Sequence, residues 1–169
     1  MDIYDAIRNR FSVRAYEDRD IEDDKLTRVL DAGRLAPSAR NSQNWKFVVV
    51  RDRPTRRKLA EASEQPFIAQ APVVIAVVTL DPDGKMHCGV PVGPVDCAIA
   101  IDHMALTAVA EGLGTCWIGH FDQKKCCDIL GVPDSAGIIE LLPVGYPDAS
   151  PGAKKRKDLD EVVCWERFS

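Results

Sequence analysis

The chain reads as a single α+β domain spanning residues 1–169. Three observations predict it. Helical and strand-like stretches interleave after an opening that is helical only. One near-continuous apolar run, Val73 to Leu80, fits a strand covered on both faces. There is neither an internal repeat nor a low-complexity segment to divide the chain, whose length favours one domain.

The elements follow in order. Residues 2–9 predict a short helix with Ile3, Ala6 and Ile7 on one face. Asp24 to Leu35 predicts a second helix, where Leu26, Val29, Leu30 and Ala32 recur at helical spacing and Pro37 stops the run. Trp45 to Val50 is β-branched and predicts a strand. Pro54 to Ser63 predicts a polar helix with proline near its start. After the strand at Val73 to Leu80 comes a Gly/Pro-rich loop, Asp81 to Pro94. Asp96 to Glu111 predicts the longest helix, with a small-residue stripe of Ala98, Ile101, Ala105, Ala108, Val109 and Gly112 that admits another backbone. Gly112 and Gly114 end it. Thr115 to Gly119 predicts a strand, Phe121 to Leu130 a helix, and Ile138 to Val144 a strand before the turn Gly145-Tyr146-Pro147. Trp45 reads as core, and Cys126 and Cys127 as helix residues with one side buried.

Composition bounds the function. With a net charge of −4 and a pI near 5.4, the chain lacks the excess cation of a general nucleic-acid binder. That balance does not exclude one local basic pocket for a small anion; the one basic run, Lys154 to Lys157, reads on composition alone as a solvated face or tail. Met1 to Asp5 is acidic and lacks the apolar core of a signal peptide, and Ala71 to Leu80 is too short to span a bilayer. Cys88, Cys97, Cys116, Cys126, Cys127 and Cys164 form no C-x-x-C pair, so thiols in a cytoplasmic protein are expected, with no metal. The tail is polar except for Leu159, Val162, Val163, Trp165 and Phe168, which must pack on their own core or on a partner.

Two stretches carry the chemistry. Arg10-Phe11-Ser12-Val13-Arg14 sets two guanidiniums and a hydroxyl after a helix, a donor set suited to phosphate. Pro37-Ser38-Ala39-Arg40-Asn41-Ser42-Gln43-Asn44-Trp45 supplies neutral amides suited to a heterocycle edge that both donates and accepts. A ligand with a phosphate at one end and a polar ring at the other uses both, as flavin mononucleotide does. Taken singly, Arg8, Arg10 and Arg14 read as surface salt-bridge partners of Asp5, Glu17 or Asp18.

Together these residues resemble the nitroreductase family of FMN-dependent oxidoreductases. The resemblance rests on R-x-S-x-R (Arg10, Ser12, Arg14), A-P-S-x-x-N-x-Q-x-W (Ala36, Pro37, Ser38, Asn41, Gln43, Trp45), G-L-G-T-x-W-I-G (Gly112 to Gly119), and G-Y-P with its basic cluster. It implies a three-layer sandwich with a mostly antiparallel central sheet. It also implies a homodimer with exchanged C-terminal segments and two FMN sites at the interface. Arg10 and Arg156, with Lys154 a further candidate, would bind the phosphate. Ser12 would bond the phosphate or ribityl region, next to Phe11, and Arg14 would face the N1–C2 carbonyl side of the ring. Pro37, Ser38 and Asn41, of the same chain or of its partner, would cover the ring, Gln43 is a further cofactor-binding residue, and the backbone of Ile118, Gly119 and His120 would lie near N5.

The activity implied is hydride transfer from NADH or NADPH through FMN to nitroaromatics, quinones or related small acceptors by a ping-pong cycle, the flavin carrying the chemistry. The alternatives are a specialised flavin enzyme of the same fold and a non-catalytic flavin-binding redox module. Three departures stand out. Asn44 replaces a common proline and His120 a common glycine, and the Asp81–Pro94 loop, with His87 and Cys88, is too short to roof a substrate pocket.

Overall fold

A computed structural model describes residues 1–168; Ser169 lies outside the described residues. The helices are α1 (Ile3–Asn9), α2 (Asp23–Arg34), α3 (Arg53–Ala62), α4 (Val92–Ala110) and α5 (Gln123–Leu130). The strands are β1 (Trp45–Val50), β2 (Val73–Thr79), β3 (Gly114–Thr115) and β4 (Gly137–Gly145). They form one antiparallel sheet in the order β1-β2-β4-β3.

β2 sets the layering. Val73, Ile75 and Val77 pack with α2 and α4, while Val74, Ala76 and Val78 pack with α3 and α5. A strand with apolar side chains on both pleats requires cover on both faces, and each such side chain contributes about 2 kcal/mol on burial. The three-layer α+β sandwich follows from that. Trp45 joins the core and stacks on Phe47 at 6.2 Å between ring centroids. Cys126 is buried and Cys127 half-buried, as their helix register predicts.

Several boundaries differ from those the sequence predicts. α4 begins at Val92, not Asp96, because Pro94 falls in the first helical turn, where its missing N–H costs nothing. Gly93 lets that turn sit against β2: a Cβ there would lie 2.4 Å from Thr79 Oγ1. The strand expected over Thr115–Gly119 is regular only at Gly114–Thr115. It detaches at Cys116-Trp117 and touches the sheet again where Ile118 and Leu141 exchange two hydrogen bonds of 3.1 Å. On α1, Ala6 is buried but Ile3 and Ile7 stay exposed, so its expected apolar face is not covered within one chain. By length and composition α4 is apolar enough to cross a membrane; here its buried face makes it the core helix of the sandwich.

Beyond α1 the chain runs alongside β3. Val13 N–H donates to Thr115 O at 2.9 Å, and Ser12 pairs with Thr115 in parallel. Val13 is fully buried, and the Tyr16 hydroxyl donates toward Val13 O at 3.0 Å and Pro143 O at 3.3 Å. Gly114 makes this approach possible, since a Cβ there would meet Val13 Cγ2 at 2.4 Å. Gly114→Ala therefore overpacks the seam; we expect a loss of about 1–3 kcal/mol, read as a lower urea midpoint, and an unchanged midpoint would show that the seam yields freely.

Candidate functional site

The seam alternates. With Val13 inward, and Phe11 partly buried beside it, Arg10, Ser12 and Arg14 are left at the surface. The C-terminal tail then brings its basic run to the same place. Lys154 Nζ donates to the carbonyls of Arg8 and, at 3.3 Å, Ile7. These are carbonyls of the last turn of α1, where a cation is electrostatically favoured. Arg8, Arg10, Lys154 and Arg156 consequently line one cleft of about 510 Å³, with Asp102 of α4 on its wall. Slight burial, together with the charges of Arg10 and Arg156, lowers the Lys154 ammonium pKa below its ordinary value. A site that crowds like charges in this way is shaped for an anion.

One buried thiol marks how these groups converge. Burial raises the Cys116 pKa, Arg14 and a Ser12 hydrogen bond lower it, Glu140 raises it, and Arg10 lowers it. Arg10, Ser12, Arg14 and Glu140 thus lie within electrostatic reach of a single atom.

The amide-rich loop is held in strained backbone. Arg40 and Asn41 both have φ of 55° and Gln43 has φ of 50°, all left-handed and none a glycine. Such conformations persist only where surrounding contacts enforce them. Here Asp96, buried on α4, accepts the Ala39 N–H with both oxygens at 3.1 and 3.2 Å. Ser38 Oγ accepts the Gln43 N–H at 3.0 Å, and Gln43 Nε2 donates to Asn41 Oδ1 at 3.3 Å. Pro37, Asn41 and Gln43 are exposed, and neither this loop nor the Ile118–His120 stretch lines the cation cleft. Gly119 is exposed, with open space where a Cβ would stand. His120 lies on the surface with Nε2 3.8 Å from Glu64 Oε2.

The model of the Nitroreductase family matches residues 7–65 and 60–146. A Methanothermobacter thermautotrophicus protein described as a candidate NADH dehydrogenase/NAD(P)H nitroreductase is 31% identical over 167 residues, covering 96% of this chain and 86% of its own. The Bacillus subtilis FMN reductase [NAD(P)H] is 29% identical over 180 residues, covering 96% and 72%. A nitroreductase family protein of Clostridium difficile 630 superposes with a TM-score of 0.90 at 31% identity, covering 99% of this chain and 100% of its own. The chain belongs to the nitroreductase family.

Asp96 and Glu140 were missed by sequence reasoning. Asp96 looks like one polar residue of a long helix, and only the tertiary contact reveals its loop. Glu140 carried a signal: it is the single charged residue in the apolar strand Gly137–Gly145. It is 8% exposed, and its carboxyl makes no hydrogen bond or ion pair among the described residues, its oxygens keeping a narrow contact with solvent. Burial raises its pKa from the ordinary 4.5 to about 7.

That shift fixes a sign. The carboxyl is neutral in both states at low pH. Above 4.5 the unfolded chain ionises first, so stability falls as pH rises and levels off beyond about 7. The full span is on the order of 3 kcal/mol. Glu140→Gln should therefore match wild type in melting temperature near pH 4 and exceed it by several degrees near pH 8. Equal melting curves at both values would mean that the carboxylate is solvated.

Proposed function

We propose that the chain is an FMN-dependent oxidoreductase that takes hydride from NAD(P)H and passes it to nitroaromatic, quinone or related small acceptors, donor and acceptor alternating at one site. The observation that carries this reading is the convergence of Arg8, Arg10, Lys154 and Arg156 on one cleft, beside the seam that exposes Ser12 and Arg14. These residues fit FMN. A phosphate dianion relieves the repulsion among four cations, and guanidiniums bind it with paired donors.

Arg10 and Arg156 would hold the phosphate, with Lys154 anchoring the tail to α1 and adding charge. Ser12, beside Phe11, would bond the phosphate or ribityl chain. Arg14 would lie along the N1–C2 carbonyl side, where a fixed cation favours the charge that reduction brings. Ile118, Gly119 and His120 would line the N5 side, Gly119 leaving room for a flat ring. Pro37, Ser38, Asn41 and Gln43 of the partner subunit would cover the ring, on a loop that Asp96 holds in shape. When bound, FMN supplies the hydride chemistry. The protein's residues bind it, orient it and bias its charge. The exposed His120 is aimed at Glu64 rather than fixed as a proton donor, so protons come from water. Six cysteines without a C-x-x-C pair accord with a cytoplasmic setting.

A homodimer completes the site. Ile3, Tyr4 and Ile7 of α1 and Leu159, Val162, Trp165 and Phe168 of the tail are large apolar side chains at least half exposed in the single chain. Surfaces of that kind are covered by a partner. β1 is an open sheet edge, and an apolar groove of about 470 Å³ formed by Leu30, Trp45, Phe47 and Val49 runs beside it. In this reading the tail exchanged from the partner subunit would lie there.

The protein reconstituted with FMN should bleach when NADH or NADPH is added without oxygen, and Arg10→Ala should elute as the same dimer but lose most of its flavin. Yellow protein that neither donor bleaches would rule out the hydride step. Full flavin occupancy in Arg10→Ala would rule out the phosphate assignment. Truncation before Leu159 should shift the light-scattering mass toward the monomer at micromolar concentration; a persisting dimer would refute tail exchange.

A further inference from the structure

Glu140 has no task in the scheme above, yet the fold goes to some length to place it. In β4 the register against β2 slips at one point: Val77 opposes Glu140, while Val78 opposes Ile138. This is a β-bulge at Ile139, a device that re-aims a side chain and recurs beside active sites. Val77 and Leu142 belong to the cluster under α4, so Glu140 shares the face beneath that helix. On the other edge of β4, the doubly bonded Ile118–Leu141 pair puts Gly119 opposite Glu140.

Few ionisable groups lie near this carboxyl. β2 presents only Val77. α4 covers this face with Cys97, Ala100, Ile101 and Met104, while its Asp96 is committed to the Ala39 N–H. The stretch after β3 contributes Cys116, and its His120 lies at the surface beside Glu64. The seam's Arg10 and Arg14 reach the same thiol as Glu140, and burial alone sets the shift of the carboxyl itself. None of these makes an ion pair with Glu140. A carboxyl buried without a partner is costly when ionised, and its charge responds strongly to any charge that appears nearby.

We propose that Glu140 is a redox-linked proton site beneath the flavin locus, taking one proton from water when the bound ring is reduced and releasing it when the ring is reoxidised. This rests on the FMN reading of the site. The balance is simple. A hydride carries two electrons and one proton from the dihydronicotinamide, which becomes the oxidised nicotinamide. The ring gains one net negative charge, and one proton from bulk water neutralises Glu140 in response. When hydride leaves to the acceptor, Glu140 returns that proton to water. Linkage is reciprocal: whatever makes reduction favour protonation makes protonation favour reduction. A pKa that burial has already raised to about 7 keeps both forms within reach near neutral pH.

The test compares flavin midpoint potentials of wild-type and Glu140→Gln holoenzymes, titrated anaerobically with dithionite against reference dyes from about pH 5 to about pH 9. The expected result is coincidence at the acid end and a gap that opens above neutrality, with the variant more positive. Proton uptake on reduction, followed with an indicator in weak buffer, should fall by up to one proton per flavin in the variant. The infrared redox difference spectrum of wild type should show a protonated-carboxyl band that the variant lacks. A gap that is constant with pH, or no gap and an unchanged infrared spectrum, overturns the proposal. Dithionite keeps the two readings separate, because failure of NADH and NADPH to reduce the flavin removes the donor assignment while the potential curves still decide the role of Glu140.

Discussion

The pairing of Ser12-Val13 with Thr115 is the contact on which the site depends. It is one backbone hydrogen bond and one buried valine. It fixes which residues of the seam turn inward and which reach the surface. Tyr16 locks it by bonding Val13 O and Pro143 O, and burial holds the phenol pKa well above its ordinary value, so it remains a donor. Without the pairing, Arg10, Ser12 and Arg14 would be three surface residues with no common direction. With it, the C-terminal end of α1, the edge of the sheet and the basic tail meet.

The sandwich tolerates several unfavourable terms. Four cations share a cleft, a carboxyl is buried without a partner, and three non-glycine residues stand in left-handed backbone. Most helix ends, by contrast, follow local rules closely. Asp2, Asp52 and Asp122 cap their helices, and Gly131 ends α5 in left-handed conformation. Proteins commonly break local rules where they bind or react, and stability is supplied by the rest of the core. Here the doubly covered β2 provides that reserve.

The Asp96–Ala39 contact shows how the layers cooperate. α4 is mostly a packing element, yet its buried Asp96 reaches out to the amide loop and holds it in a shape that local preferences disfavour. The helix therefore links the sheet, the loop and, through Asp102, the cation cleft. A change in α4 packing would be felt at all three.

Much of this was legible in the order of residues. Alternation and apolar runs are local signals, so the strand Trp45–Val50, the doubly buried β2 and most helices could be read directly, and the motifs around Arg10 and Gly119 pointed to a flavin. The start of α4 was misread because a proline in a first turn resembles a loop signal. The strand after Gly114 was overextended because apolar composition does not report hydrogen bonding. Lys154 meets α1 across 146 positions, and the Glu140 environment depends on a one-residue bulge and on the strand at its far side. Contacts of that kind arise from the mutual placement of distant segments. The sequence alone therefore determined the layers and the chemical types at the site, while the tertiary structure decided which charges share a cleft and which stand buried alone.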